Sequence, residues 1–593
     1  MSLRFVRRII ETGTLTPHRQ QVRSLDTPGH DPARAARAAR ATTLIEQRTS
    51  ITAPVDGLDN QNDVASPTVR NSVSFRTRSL AAIRSATIEH KFLALLLILF
   101  VAKGVAISFI HAPYTGHDEV AHYAYLQIVA DEHRVPTLPG LQEWRTVHAA
   151  DNNFIHDRMP AEFWKYCRRT TIDWSPGCGE FSNAIYAMTL GGLYFPTGWI
   201  YTANHPPLYY LVMTPLYWLT DDLSIEGQLY ALRLAAIPFG VLTVLFAFLT
   251  VRTLFPRDRF LAVTVPALVA FQPQISYEAA MLNNDILAIA FTSAVIWLLA
   301  RGLRSGFPIR TVALIGFCYG LAVLSKNTSL TTGGIIAFAM LFGLGLRNWR
   351  AWLLKGALAA SITVFMIWPW YLFMYRTYGD FTGLARIHEL QYWNYQSGEL
   401  PTIWSQLTSL QFFWMRWRET WGEFGWRLIP LGQVGNWPLL RTLLWITIIA
   451  MLGIAVWAVR FYRVDRTIRR ATDGAEARSI AERAESIFVL ERWQVIGVLT
   501  MGVTCILAYA AILQFGTTFS LTQARYYFPA IVPAAILAML GLRALIPRRW
   551  LSYGQAAVFG SLVVLTVIIY TGYVIPYWSS ADKLYRDIDP FLR

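Results

Sequence analysis

Two adjacent carboxylates, Asp118 and Glu119, follow the first long apolar run of the chain, in the sequence HAPYTGHDEVAHYAYLQ. Charged side chains at the edge of a bilayer persist only where they are solvated, paired or used in chemistry. If the segment after Pro113 is helical, His122 lies one turn beyond Asp118 and can orient its carboxylate. A solvated helix start with acids in its first turn is the structural alternative. We predict that Asp118 and Glu119 are catalytic and that His122 contacts the substrate.

A second polar group lies in the sequence SYEAAMLNNDILAIAF, directly before another apolar run. Glu278 and Asp285 could there accept protons, bind a hydroxylated ligand or hold a divalent cation. Asn284 is predicted instead to cap the following helix. We therefore expect Glu278 and Asp285 to bind substrate. The pattern requires no cofactor, although a divalent cation is an option.

Two cations come from distant parts of the chain. Lys326, in GLAVLSKNTSL, and Arg525, in SLTQARYYFPAIVPA, lie at the ends of apolar runs, and Tyr526 follows Arg525. Each cation alone is typical of an interfacial anchor whose long side chain reaches water. Two cations facing two carboxylate groups instead favour a site for a phosphate carried on a membrane lipid. His205, which opens HPPLYY, either faces the same cavity or is only a turn residue.

Membrane-spanning helices must position these residues. The 593-residue chain is 54% hydrophobic, which is too apolar for a soluble protein, so we predict an all-α polytopic membrane protein. The net charge of +15 falls in short basic clusters between apolar runs, which indicates membrane topology rather than a nucleic-acid partner. The runs near spanning length, about eleven, are 92–111, 229–254, 260–276, 285–303, 309–325, 329–346, 351–375, 437–459, 493–514, 527–546 and 551–575.

The basic clusters predict the orientation. With the N-terminus in the cytoplasm, five arginine-rich loops fall on the cytoplasmic side, provided that 205–220 does not cross. This segment contains three prolines and interfacial aromatics, so we predict a helix that lies along the outer surface. The large outer loops are then 112–228 and 376–436, and the site is extracytoplasmic at the plasma membrane. The tryptophans of 376–436 favour an interfacial belt over sugar stacking.

The remaining segments carry less information. Residues 1–90 are predicted to be a disordered basic cytoplasmic extension, 91–575 the transmembrane domain and 576–593 an extracytoplasmic tail. Cys167 and Cys178 share the first outer loop as either a disulfide or free thiols, whereas Cys318 and Cys505 are assigned to the core. The chain has no phosphate-binding loop, dinucleotide fingerprint, CxxC or HExxH motif. The sole DxD motif, at 587–589, lies in the tail, so we expect the membrane to supply the donor.

Several motifs in order resemble the GT-C superfamily of integral-membrane glycosyltransferases. GHDEVAHY is similar to the DE motif of aminoarabinose transferases and protein O-mannosyltransferases, and HPPLYYL resembles the juxtamembrane helix after it. The segment ALRLAAIPFGVLTVLFAFLTVRTLF resembles the family's next span with its RL-P start, and NNDILAIAF, GLAVLSKNTSL and QARYYFPAI resemble later elements of bacterial members. The resemblance covers roughly residues 90–546. Aminoarabinose transferases favour Arg-Tyr after the DE pair, where this chain has Ala121-His122-Tyr123.

The resemblance implies a GT-C-like bundle with juxtamembrane helices in a large first outer loop. It further implies transfer of a hexosyl or pentosyl group from a polyprenyl-phosphate carrier to a glycan, lipid or protein hydroxyl. In that reaction Asp118 would be the general base, Asp285 would lie in the second acidic loop, and membrane lipids would surround the protein. From their charge and position, Lys326 and Arg525 would stabilise the leaving phosphate. A transporter or flippase is the alternative class, but the chain shows no convincing internal repeat and its acids cluster at the outer edge.

Overall fold

The computed structural model describes residues 87–138, 202–386, 401–425, 429–431, 437–471, 473–517 and 523–579. Almost all of these residues are helical, and the two short strands, β1 (Glu423–Phe424) and β2 (Ile429–Pro430), pair antiparallel. Residues 1–86 of the predicted N-terminal extension, the Cys167 and Cys178 pair and the DxD motif lie outside the described residues. The last three residues of the predicted extension, 88–90, belong to the first helix.

The helices follow one another with few long connections. They are α1 (Ile88–Ile110), α2 (Glu119–Asp131), α3 (Leu208–Leu219), α4 (Ile225–Leu254), α5 (Arg259–Phe271), α6 (Pro273–Ala279), α7 (Asp285–Ser305), α8 (Ile309–Ser325), α9 (Thr332–Leu344), α10 (Trp349–Tyr378), α11 (Ile403–Thr408), α12 (Leu410–Trp421), α13 (Trp437–Arg470), α14 (Gly474–Arg483), α15 (Arg492–Gly516), α16 (Ile531–Leu545), α17 (Leu551–Ile569) and α18 (Ile575–Ser579). Shorter 3-10 segments are Asn327–Thr331, Ser486–Phe488, Ala524–Ala530 and Arg548–Trp550, and Tyr570–Val574 forms a π segment.

Every predicted apolar run overlaps helical structure, although the run 260–276 falls on the two helices α5 and α6. Among the described residues, nine helical segments are long and apolar enough to cross a membrane, and the bent pair of α5 and α6 would make a tenth. The eleventh run is α8, an apolar helix of 17 residues. The predicted helical membrane fold is therefore confirmed. Helix α3 has 12 residues, so its length of roughly 18 Å is too short to cross a bilayer core, as predicted for 205–220.

Helix α7 lies at the centre of the bundle. It packs against α4 and against α8, and 83% of its 18-residue apolar stretch is buried inside the protein. Another close approach joins α13 and α16, where a Cβ atom at Gly453 would collide with the backbone of Gly541. Small residues at such crossings let helix backbones touch, which replaces the hydrophobic driving force that is missing between helices in lipid.

A 60° bend separates α5 from α6. Pro273 begins α6, and because proline has no N–H it cannot continue the hydrogen bonding of α5. The Ala270 carbonyl, near the C-terminal end of α5, accepts hydrogen bonds from Lys103 Nζ of α1 at 2.5 Å and from Ser276 Oγ at 3.1 Å. Lysine at a helix C-terminus satisfies such carbonyls and favours the negative end of the helix dipole. The bend directs α6, with Tyr277 and Glu278, toward the start of α2 and β1.

The two ends of the bundle differ in charge. At the end that is predicted to be cytoplasmic, Arg543 donates hydrogen bonds to Asp258 at 3.0 Å and to Glu485 at 2.5 Å. A cavity of about 1120 Å³ opens beside Arg543, and exposed arginines such as Arg257 and Arg304 line it. None of the predicted site residues lines this cavity.

Candidate active site

Four elements bring the predicted acids and cations to the other end of the bundle. Asp118 directly precedes α2, Asp285 is the first residue of α7, Lys326 follows the end of α8, and Arg525 lies in the 3-10 segment before α16. Successive helices cross the bundle in alternate directions, so these termini meet although 407 residues separate Asp118 from Arg525. The predicted convergence of the four charged groups is observed.

The four charged groups form one connected cluster. Arg525 Nη2 donates a short hydrogen bond to Asp118 Oδ2, and Lys326 Nζ donates one to Asp285 Oδ1. Arg525 Nη1 lies 3.5 Å from Asp285 Oδ2 and thereby links the two pairs. Tyr526 completes the cluster, because Lys326 Nζ lies 5.0 Å from the centre of its ring, within the range of a cation–π contact.

Their burial distinguishes Lys326 and Arg525 from interfacial anchors. Lys326 is 6% exposed and Arg525 is 5% exposed, whereas an anchor reaches solvent. Among the described residues, several buried polar atoms of the cluster have no hydrogen-bond partner: Nε and Nη1 of Arg525, Oδ2 of Asp285, Oδ1 of Asn284 and Nε2 of His122. Buried donors and acceptors are usually paired. A concentration of unpaired ones indicates a place where a polar ligand binds.

Glu119 has a different environment from that of its neighbour Asp118. Its two carboxylate oxygens accept hydrogen bonds from Arg233 Nε at 2.8 Å and Arg233 Nη2 at 2.6 Å. Backbone N–H groups of Gly116 and Leu282 add a bond of 3.0 Å each. Both side chains of this pair are fully buried. The carboxylate thus ties the start of α2 to α4 and to the loop before α7.

Three histidines surround the cluster. His117 Nδ1 lies 2.8 Å from Glu278 Oε1, while His122 Nδ1 shares a 2.8 Å hydrogen bond with the Tyr210 hydroxyl of α3. The rings of His122 and the half-buried His205 are 5.9 Å apart. Burial lowers the pKa of His122 to about 3 against the opposing effect of Asp118. Burial, aided by the charge of Lys326, also holds the pKa of His205 well below its usual range.

Local geometry differs from the sequence-based expectation at Asp118 and Asn284. Helix α2 begins only at Glu119, and Asp118 precedes it with a left-handed backbone (φ 54°, ψ 20°) that asparagine and aspartate tolerate better than most residues. The side chain of Asn284 does not cap α7. Instead, Asn283 Oδ1 accepts from the Ile286 N–H at 3.2 Å, and Asn284 Nδ2 donates to the Ser325 carbonyl at 3.0 Å. Asn284 therefore joins α7 to the end of α8.

The tryptophan-rich segment contributes little to the cluster. Trp417 donates to the Leu440 carbonyl at 3.0 Å and packs beside Trp421, whereas Trp404 is largely exposed. Trp393 and Trp426 lie outside the described residues. Helix α12 nevertheless supports the site, because Glu419 Oε2 accepts a 2.8 Å hydrogen bond from the Ala524 N–H, directly before Arg525. Cys318 and Cys505 are partly buried free thiols.

Sequence reasoning missed Arg233 and His117. Arg233 is an arginine within the apolar run of α4, and a charge at that depth is a signal of function or of a buried partner.

No cluster of three or more histidine, cysteine, aspartate or glutamate side chains in the described part of the chain is arranged to hold a metal ion. The Asp118 and Asp285 carboxylates face guanidinium and ammonium groups instead, which does not match the oxygen-rich ligand set of a divalent cation.

Residues 204–371 match the family model described as dolichyl-phosphate-mannose-protein mannosyltransferase. This segment is less than half of the chain, but it contains His205, Glu278, Asp285 and Lys326. The match confirms the resemblance to GT-C membrane glycosyltransferases that the motifs indicated. Asp118 and Arg525 lie outside the matched segment. No curated protein matches the chain at a significant level.

Two solved structures are similar at low identity. The apo oligosaccharyltransferase of Archaeoglobus fulgidus is 12% identical with a TM-score of 0.40, and the match covers 84% of this chain and 56% of that one. ArnT from Cupriavidus metallidurans bound to undecaprenyl phosphate is 16% identical with a TM-score of 0.34, and the match covers 83% of this chain and 75% of ArnT. In its complex with zinc and sulfate, the archaeal enzyme is covered over 52% of its length, so this chain spans about half of it. Values this low do not support transfer of function.

Proposed function

We propose that the protein is a glycosyltransferase that moves a monosaccharide from a polyprenyl-phosphate carrier to a hydroxyl acceptor at the outer face of the membrane. The buried cluster of Asp118, Asp285, Lys326 and Arg525 carries this proposal. It combines a base with two cations, and the family match adds a known reaction type. The donor transfers a hexosyl or pentosyl group, and the acceptor is a glycan, a lipid or a protein.

The reaction needs two opposed groups. The acceptor oxygen attacks the anomeric carbon, the bond from that carbon to the phosphate oxygen breaks with its electron pair, and the acceptor proton passes to Asp118. Lys326 and Arg525 stabilise the charge that develops on the leaving phosphate. A single displacement of this kind inverts the anomeric carbon. No nucleotide is consumed, because the carrier bond supplies the free energy.

The other predicted site residues support these two groups. Asp285 holds Lys326 toward Tyr526, and His122 and His205 are neutral at pH 7, so they can donate or accept hydrogen bonds with sugar hydroxyls. We assign Glu119 to positioning instead of catalysis, because its oxygens already bind Arg233 and two backbone N–H groups. Glu278, paired with His117, stays a predicted substrate-binding residue.

Charge distribution supports the outer face for the site. The arginine-rich ends of the helices lie opposite the cluster, and basic residues mark the cytoplasmic side of membrane proteins. The orientation can be tested independently of activity. A cysteine introduced at the exposed Asp222, beside the N-terminus of α4, should react with a membrane-impermeant thiol reagent in intact cells, whereas one at Arg304 should not.

Turnover tests the function directly. Purified protein is incubated with a panel of radiolabelled polyprenyl-phosphate sugars and candidate acceptors, and release of free lipid phosphate together with a labelled product is measured. The proposal predicts product from one of these donors and none from Asp118→Asn. Movement of an intact lipid-linked substrate across reconstituted vesicles without bond cleavage would instead identify the transporter or flippase class.

A further inference from the structure

The arginine-rich cavity lies at the end of the bundle opposite the candidate active site. Its volume of about 1120 Å³ is at the upper limit of the roughly 300–1,000 Å³ that small-molecule sites occupy, so it can hold a ligand of considerable size. Arginines outnumber acids among the lining residues by six to four, and the cavity is therefore positively charged. The arginines are Arg257, Arg259, Arg304, Arg478, Arg543 and Arg548, and the acids are Asp258, Glu482, Glu485 and Glu491.

Most of the acids are already engaged. The buried Arg543 uses two of them, because it donates hydrogen bonds to Asp258 at 3.0 Å and to Glu485 at 2.5 Å. Glu491 accepts a 2.8 Å hydrogen bond from an indole N–H at the start of α15. Arg259 lies 2.9 Å from a glutamate of α1, which does not line the cavity. These pairs leave the other four arginines with few carboxylates nearby.

The other four arginines come from separate elements and surround one space. Arg257 follows α4, Arg304 lies in the last turn of α7, Arg478 lies on α14, and Arg548 begins the 3-10 segment before α17. All four are exposed, and within the ranges that the structure describes none of them forms an ion pair. Glu482, on α14, supplies the remaining negative charge of the lining. The four cations together favour an anionic ligand.

Exposed aromatic side chains place the cavity at the depth of lipid headgroups. Trp550 and Tyr553 are 50% and 69% exposed, and between them in the chain lie Leu551 and Ser552, which line the cavity. Tryptophan and tyrosine are enriched where membrane helices meet the headgroup region. The lining also includes apolar side chains such as Val489. It therefore suits a ligand that has both an anionic and an apolar part.

Membrane topology alone accounts for arginines at this end of the bundle, but it does not require them to line one cavity. Arg310, in the first turn of α8, and Arg347, before α10, are also exposed at this end and lie outside the cavity lining. They carry the same charge as Arg257 and Arg304 in a different place. The two pairs of arginines can therefore separate a specific site from general surface charge.

We infer that this cavity binds the headgroup of an anionic phospholipid from the adjacent leaflet, whose phosphate the four exposed arginines contact. Basic pockets between membrane helices bind anionic headgroups in this way, and each guanidinium can donate two parallel hydrogen bonds to phosphate oxygens. A zwitterionic headgroup brings its own cation, which these arginines repel. The site is independent of the proposed transferase reaction.

The bound lipid also holds α14 in place. None of the ten residues of this helix, all within the described part of the chain, is buried. Its Arg478 and Glu482 line the cavity together with residues that flank α4, α7 and α17. A headgroup in the cavity therefore joins α14 to the ends of three helices of the bundle.

Lipid binding to the purified full-length protein tests the inference. Phosphatidylglycerol and phosphatidylcholine are titrated in detergent, and native mass spectrometry gives their dissociation constants. Each arginine near a headgroup phosphate contributes about fivefold in affinity, so Arg257→Gln with Arg304→Gln should weaken phosphatidylglycerol binding about 30-fold. The control pair, Arg310→Gln with Arg347→Gln, should change it by less than about twofold.

Two results of this titration would overturn the inference. Equal weakening by both double variants would mean that surface charge alone governs binding, and equal affinity for the two lipids would mean that the cavity does not recognise charge. The substituted arginines are exposed, so the thermal unfolding temperature of both variants should match that of the wild type. If the first pair nevertheless unfolds, Arg478→Gln with Arg548→Gln provides the same test.

Inorganic phosphate and hydrogen exchange identify the source of the phosphate and the location of the site. We expect phosphatidylglycerol to bind at least about tenfold more tightly than inorganic phosphate, because its acyl chains stay in an apolar environment. Equal affinity would assign the cavity to a soluble phosphorylated compound and refute the lipid. Bound phosphatidylglycerol should also slow amide hydrogen exchange in α14. Exchange there that is unchanged by the lipid would show that it binds elsewhere.

Discussion

Two buried arginines lie at the same end of the bundle and are used differently. Arg233 donates five hydrogen bonds, two to Glu119 and the rest to the carbonyls of Ser108, His111 and Ala112. A guanidinium has five N–H donors, so Arg233 has none left. Arg525 has one close carboxylate and, within the described ranges, two nitrogens without a hydrogen-bond partner.

The number of hydrogen bonds that a buried charge already makes distinguishes a structural charge from a functional one. A saturated pair such as Glu119 and Arg233 fixes the position of backbone segments and has no capacity for a ligand. An arginine such as Arg525, whose Nε and Nη1 have no hydrogen-bond partner in the described part of the chain, carries an energetic penalty that a ligand can remove. Adjacent residues in the sequence, Asp118 and Glu119, thus belong to different classes.

Removal of the proposed base should have the largest effect. Asp118→Asn keeps the size of the side chain but cannot accept a proton, so we expect transfer to fall by about 10²–10⁴-fold while the protein still inserts and folds. Release of labelled lipid phosphate measures the loss, and Asp131→Asn serves as the control. Undiminished turnover by Asp118→Asn would remove Asp118 from the mechanism.

Disruption of the Glu119–Arg233 pair should lower the stability of the protein. Arg233→Gln leaves the Glu119 carboxylate buried without its cation, so the free energy of unfolding should drop by about 3–5 kcal/mol. Thermal unfolding in detergent measures the change. The double variant with Glu119→Gln should recover part of the stability, because both charges are then removed. A stable Arg233→Gln protein that has lost only transfer would contradict the structural role.

Replacement of Arg525, which pairs with Asp118, should lower activity more than stability. Arg525→Gln removes a donor that stabilises the leaving phosphate, and we expect transfer to fall by about 10²–10³-fold. Its effect on stability should be smaller than that of Arg233→Gln, since Asp285 keeps Lys326 and Asp118 lies in a loop. Arg525→Lys should restore part of the activity. If both arginine variants lose stability equally, the contrast between the two sites is wrong.

Acidification should have the smallest effect, and it follows from the buried histidines. Burial lowers the pKa of His111, His122 and His205 below 6.5, to about 3 for His122. Above pH 6.5 these histidines are neutral in both the folded and the unfolded protein. Below pH 6.5 the unfolded chain takes up protons that the folded protein excludes, so the free energy of unfolding falls. The loss should reach about 1 kcal/mol per histidine near pH 5.5. His122→Gln should reduce this slope by one histidine's share, and an unchanged slope would show that His122 is not buried as a neutral group.

Much of the architecture could be predicted from the sequence. Each span needs a continuous apolar run of fixed length, because backbone groups in lipid must be satisfied within their own helix. Arg233 could have been found in the same way, as a charge inside such a run. Local helix geometry was less predictable, because Asn283 and Asn284 carry the same capping chemistry and the surrounding contacts decide which one caps.

The helical membrane fold, the order of its spans and the charged residues at their ends follow from local patterns in the chain. Which cation each acid meets follows from packing: Glu119 meets Arg233, and Asp118 meets Arg525. Hydrophobic length acts locally along the chain, whereas ion pairing depends on distances between segments more than 100 residues apart. Packing of α1, α4, α7 and α16 fixes those distances, and no local pattern encodes them.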